Sequence, residues 1–175
     1  SNLEGIEGKE DYKIIDANGT KIGIIGLITP FLSDGLLPIN HQGVEVSDLL
    51  SSLNTQIEKI RNNVDLIFVL SHLGIPYDRE DEYKSFISDI EQGETHPIRN
   101  ALELAHYTDD VDVIITGGIS KGYNTPWVDP NTHTIVVQNY GNLTGIGHLV
   151  LNIDQNNKII EDYSFPTERL SLIHI

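Results

Sequence analysis

Val64-Asp65-Leu66-Ile67-Phe68-Val69-Leu70 and Val111-Asp112-Val113-Ile114-Ile115 are short, nearly unbroken apolar runs, and they limit the fold more than any other feature of the chain. A strand in which polar and apolar residues alternate can leave one face in water. A continuous run needs both faces covered, as in a parallel sheet packed against helices. A third run, Lys21-Ile22-Gly23-Ile24-Ile25-Gly26-Leu27-Ile28, precedes them and is joined to Tyr12-Lys13-Ile14-Ile15 through Asn18-Gly19. Both turn residues tolerate positive φ, so this pair predicts a hairpin. Between the runs, Leu49, Leu50, Leu53, Ile57 and Ile60 recur at helical spacing behind Ser47 as the cap. Pro97 suits the first turn of another helix, with Ile98, Ala101, Leu102 and Ala105 as its apolar stripe. The pattern is strand, helix, strand, helix, strand, which predicts an α/β fold with a parallel βαβαβ core.

Around that core the expectations are looser. Residues 29–46 are irregular. Residues 75–96 are polar and acidic, including Asp78, Glu80, Asp81 and Glu82, and predict a surface excursion with one short helix. After the core, residues 134–138, 148–153 and 158–160 predict antiparallel closing strands, the last two joined by a turn at Asp154-Gln155-Asn156-Asn157.

The formal net charge of −15 argues against a nucleic acid polymer or an anionic membrane as partner, because those surfaces attract basic patches. A small phosphate ligand is compatible with it, since a bound metal reverses the local sign. With no cysteine, disulfides and thiolate metal sites are impossible. No apolar run reaches the roughly 18 residues of a membrane span. The segment Ser1-Asn2-Leu3-Glu4-Gly5 carries neither an initiator Met nor a signal-peptide pattern, and the chain is expected to begin within a longer protein. Residues 170–175, Leu-Ser-Leu-Ile-His-Ile, are what the start of a common transposase sequencing adapter encodes. The expected organisation is therefore an incomplete domain over 1–169 and an adapter-derived tail over 170–175.

In open α/β sheets ligands gather at the carboxyl ends of the parallel strands. Ser71-His72-Leu73-Gly74 follows the run at 64–70 and presents an imidazole suited to a divalent metal, although a histidine at a strand end more often makes a structural hydrogen bond. Thr116-Gly117-Gly118-Ile119-Ser120-Lys121-Gly122 follows the run at 111–115, where glycines let the backbone approach a ligand or simply make a tight turn.

These two segments, with the intervening helix and Asp112-Val113-Ile114-Ile115, resemble the calcineurin-like metallophosphoesterases of the 5′-nucleotidase and 2′,3′-cyclic-nucleotide phosphodiesterase family. Residues 21–27, 134–141 and 147–154 resemble its neighbouring strands, so the resemblance covers roughly residues 10–163. It implies part of an αββα sandwich and hydrolysis of nucleotide phosphate esters by two divalent ions such as Zn or Mn. It implies a nucleotide or other small phosphate ester as partner and a periplasmic, cell-surface or secreted location. His72 matches the family's metal-ligating histidine. The family's next pair of ligands falls on Gly118 and Ser120, or on Ile119 and Lys121 if the glycines are superposed; none of the four is an ordinary metal ligand. The family's upstream ligand segments do not occur in these 175 residues. No catalytic residue is assigned, and the chain alone is expected to be inactive.

Two other functions compete with this one. A degenerate relative would bind nucleotide without turnover, with Trp127 beside Pro126 as an exposed stacking ring. Gly118-Ile119-Ser120-Lys121-Gly122 also fits Gly-x-Ser-x-Gly, which would make Ser120 a serine-hydrolase nucleophile with Asp129 and His148 or His133. Loop-like residues follow where that motif requires a helix.

Overall fold

The computed structural model describes residues 1–34 and 37–169; the tail at 170–175 lies outside the described residues. In chain order the strands are β1 (Leu3–Glu4), β2 (Tyr12–Ala17), β3 (Thr20–Ile28), β4 (Glu45–Val46), β5 (Leu66–His72), β6 (Val113–Thr116), β7 (Trp127–Val128), β8 (Ile135–Gln138), β9 (Gly145–Gly147), β10 (Val150–Ile153), β11 (Ile160–Ser164) and β12 (Thr167–Arg169). The α-helices are α1 (Leu49–Ile60), α2 (Arg79–Glu91) and α3 (Ala101–His106).

A six-stranded sheet in the order β2-β3-β5-β6-β8-β7 organises the molecule. β3, β5, β6 and β8 run parallel, with β2 and β7 antiparallel at the two edges. The β2–β3 hairpin turns on Asn18 at φ 54° and Gly19 at φ 84°, as the sequence requires. The expectation that residues 134–138 form an antiparallel closing strand is overturned. β8 pairs in parallel with β6, from Val113 opposite Ile135 to Thr116 opposite Gln138. The reason is β7, which carries the chain back down the outside of the sheet before β8 begins. The tight 129–134 loop then closes through a bond from the Asp129 amide to the Thr134 carbonyl (3.0 Å). The β10–β11 and β9–β12 ribbons are antiparallel.

Three helix expectations need correction. The cap of α1 is Asp48, which accepts from the Ser51 amide at 2.8 Å; Ser47 instead donates to Glu4 at 2.5 Å. Residues 79–91 form a helix of 13 residues rather than a short one. Tyr83, Phe86, Ile87 and Ile90 give it a buried stripe, and Glu80, Asp81 and Glu82 occupy the first turn, where negative charge offsets the exposed amides. α3 starts at Ala101, capped by Asn100, so Pro97 and Ile98 lie ahead of it.

All three helices pack on one face of the sheet. Ile25, Ile67, Val69, Ile114 and Val136 share that face and form one core with Leu53, Ile57, Phe86, Leu102 and Ala105. The opposite face carries Phe68, Val113, Ile135 and Val137, covered by Leu151, Ile160, Tyr163 and Phe165 from the C-terminal ribbons. That cover stops short of the strands' carboxyl ends: Leu70 is 45% and Ile115 39% exposed. β2 is an outer strand with Tyr12, Ile14 and Ile15 all exposed.

This asymmetry has a direct test. Ile114→Ala removes side-chain volume from a closed core and should cost about 2–5 kcal/mol. Ile115→Ala, one residue along, should cost under about 1 kcal/mol, because its side chain is already wet. Urea unfolding of the two variants compares them.

Glu103 supplies a pH test. Its carboxylate is buried in α3 and accepts from the Arg99 amide at 2.8 Å and Asn100 Nδ2 at 2.9 Å. Burial nonetheless raises its pKa above the usual 4.5. With a raised folded value, the stabilising contribution is present below about pH 4.5 and lost as pH rises through that folded value. Thermal unfolding of Glu103→Gln should therefore lose less stability than the wild type between pH 4.5 and neutrality.

Candidate functional site

The site is set by how β5 and β6 end side by side. Ser71 lies opposite Thr116 in the ladder, so on the β6 side His72 is one step beyond the last pair, while on the β3 side it lies opposite Ile28. Thr116 is buried, and its hydroxyl meets Ser71 Oγ at 2.8 Å and accepts from the Gly74 amide at 3.0 Å. The Gly117 amide donates to the Ser71 carbonyl at 3.1 Å. Gly74, at φ 75°, makes the turn that follows His72, and its carbonyl accepts from the Ala101 amide at the head of α3.

Gln138 ties this turn to the next one. It is 1% exposed at the end of β8; its Oε1 accepts from the Ile75 amide at 2.8 Å and its Nε2 donates to the Lys121 carbonyl. Tyr123 adds a bond from its hydroxyl to the Pro76 carbonyl. The loops after β5 and β6 are thus held by donors and acceptors on both sides.

His72 is exposed and shares a sheet face with Leu70. It borders a shallow cavity of ≈ 260 Å³ with Ser1, Leu3, Gly26 and Ile28. Its ring also lies against Gly118: a Cβ placed there would sit 3.4 Å from Cδ2 and 3.5 Å from Nε2. Gly118 has φ +113°, a conformation that L side chains rarely adopt, so backbone shape favours glycine there, while the imidazole sits at ordinary contact distance.

The other positions from the resemblance do other work. Ile119 packs against Gly74. Ser120 Oγ lies 2.9 Å from the Tyr77 hydroxyl, and Lys121 Nζ donates to the Tyr77 carbonyl. Among the described residues no group of three or more His, Asp or Glu side chains is placed to hold a metal ion. The residues present therefore do not fit a dinuclear centre: they offer one imidazole, a hydroxyl and an ammonium.

The serine-hydrolase arrangement is not formed. Residues 118–125 are bends and open loop, with no helix behind Ser120. Asp129 is fully buried, its carboxylate accepting from Tyr83 Oη at 2.7 Å and from the Asn131 and Thr132 amides. Trp127, expected in an exposed loop, is half-buried in β7 with its ring centroid 5.0 Å from that of Tyr83. The acidic residues at 78–82 belong to the start of α2. His106 bonds Tyr83 Oη at 3.1 Å, a contact between α2 and α3.

Sequence reasoning assigned no positioning role to Thr116, Gln138 or Tyr77. A polar residue ending an otherwise apolar strand was the available signal for the first two. Thr116→Val should lower stability by about 1–3 kcal/mol, because the Gly74 amide loses its acceptor in a dry setting. Amide hydrogen exchange at Leu73 and Gly74 should quicken, and Thr116→Ser should restore both.

No protein-family model matches the sequence, and no curated protein matches it. Solved structures do. A Staphylococcus aureus structure assigned as a 5′-nucleotidase matches over 99% of this chain and 33% of its own, at 21% identity and a TM-score of 0.68. The calcineurin-like phosphoesterase YfkN from Bacillus subtilis matches over 96% of this chain and 54% of its own, at 23% identity and a TM-score of 0.65. The sulfate thiohydrolase SoxB from Thermus thermophilus matches over 96% and 27%, at 14% identity and a TM-score of 0.70. The chain thus spans roughly a quarter to a half of the length of these structures. At such identities the likeness is one of fold. Over nearly its whole length, this chain has the fold found in calcineurin-like phosphoesterases and 5′-nucleotidases.

Proposed function

We propose that the chain is part of a metal-dependent phosphoesterase that hydrolyses nucleotide phosphate esters, with His72 as one metal ligand. The observation that carries this is the His72 ring. It stands exposed at the carboxyl end of a central parallel strand, against a glycine-rich turn. That is where an open α/β sheet gathers its ligands. SoxB has the same fold under a different name, so the nucleotide rests on the sequence resemblance as well as on the fold.

On this reading residues 1–169 form the later part of the domain, and the remaining ligands of a two-metal site come from outside these 175 residues. The whole protein works in the periplasm or at the cell surface. A second reading, a relative that binds nucleotide without turnover, is favoured by one feature: glycine and serine stand where the family's next ligands fall, at 118 and 120.

The test is hydrolysis of 4-nitrophenyl phosphate with Mn²⁺ or Zn²⁺. The 175-residue chain alone should show no metal-dependent turnover above a His72→Ala control. A longer chain that supplies the missing ligands should turn over, and His72→Ala should cost it about tenfold or more. Failure of the longer chain to hydrolyse any phosphate ester, while still binding nucleotide, would leave the second reading.

A further inference from the structure

The glycine-rich turn lacks metal ligands but not ligand chemistry. We infer that Lys121, Ser120 and Tyr77 form an anion site that takes the phosphate group of a phosphate monoester without a metal. The inference rests on the phosphoester reading of the site, and names what the turn after β6 does in it.

Four observations point to an anion. First, the chain carries 26 acidic and 11 basic side chains, yet two of the cations meet here. Arg79 Cζ lies 4.6 Å from the Tyr123 ring centroid, and Lys121 Nζ lies 4.9 Å from it. Second, Lys121 makes no ion pair with a carboxylate among the described residues. Its ammonium donates to the Tyr77 carbonyl, which occupies one of its three protons. Glu80 is taken up by Arg79 at 2.8 Å. Third, the Ser120 and Tyr77 hydroxyls lie 2.9 Å apart, and either can be the donor, so one O–H of the pair is available to a third oxygen. Fourth, the Tyr77 side chain is accessible, the residue being 56% exposed.

The site is also fixed in place. Gly122 packs so closely on Tyr140 that a Cβ would sit 2.3 Å from its amide nitrogen. Gly141 donates to the Ser120 carbonyl at 2.9 Å, and Gln138 holds the Lys121 carbonyl. A cation, a hydroxyl pair and a backbone already in position lower the ordering cost of binding. Charge-assisted bonds from Lys121 would be its strongest contacts, and Tyr77 would wall one side.

Binding of inorganic phosphate and of 4-nitrophenyl phosphate is measured by isothermal titration in EDTA, on the full chain and on three variants checked by circular dichroism. Binding should persist in EDTA and weaken with added salt. Lys121→Gln should weaken it by about tenfold, and Lys121→Arg should retain most of it. Absence of binding in EDTA, or equal binding by Lys121→Gln and wild type, overturns the inference. Binding that needs Mn²⁺ and is lost in His72→Ala but not in Lys121→Gln overturns it too, while leaving the metal-dependent reading intact. Conversely, EDTA-resistant binding through Lys121, with no hydrolysis by the longer chain, upholds the anion site and removes the hydrolytic reading.

Discussion

The Thr116 hydroxyl is the point on which the candidate site depends. It lies buried where two parallel strands end together, and it accepts from the Gly74 amide in the turn that follows His72. A buried amide without an acceptor would push that turn open. With the acceptor in place, the turn is held and the imidazole lies beside Gly118. Gln138 repeats the arrangement one strand over, using a side-chain amide to serve both loops.

The sheet's two faces give these loops unequal support. Helices cover one face over its inner strands, and their apolar stripes make a closed core with the inner residues of β3, β5, β6 and β8. The other face is covered by antiparallel ribbons near the strands' starts and left open near their ends, at Leu70 and Ile115. His72 belongs to the open face. The same alternation that buries Val69 and Ile67 turns Leu70 and His72 outward, so the position of the site follows from strand parity.

Much of this was legible in the residues, and for identifiable reasons. The parallel core could be read because Leu66-Ile67-Phe68-Val69 and Val113-Ile114-Ile115 are apolar without a break. The hairpin could be read because Asn18-Gly19 has few other uses between β-rich runs. β8 was misjudged because its direction is decided by β7, two residues long and invisible to any periodicity. α2 was underestimated because its charged surface dominates; Tyr83, Phe86, Ile87 and Ile90 carry the helical spacing that would have shown it. At the site, His72 and the glycine turn stood out by residue type. The bonds that position them involve Thr116 and Gln138, 42 and 63 residues from their partners, and no local pattern encodes such pairings.

The outer strand of the sheet carries a last consequence. Among the described residues β2 pairs on one side only, leaving the backbone groups of its other side without a strand partner at Tyr12, Ile14 and Ile15. Such a border invites a neighbouring molecule to add its own strand. What opposes this is mutual repulsion between copies that each carry a charge of −15. That protection is electrostatic and fades as counterions accumulate. Concentrated stocks of the protein should accordingly keep best in dilute buffer, with clouding and fibrous association favoured as the ionic strength is raised.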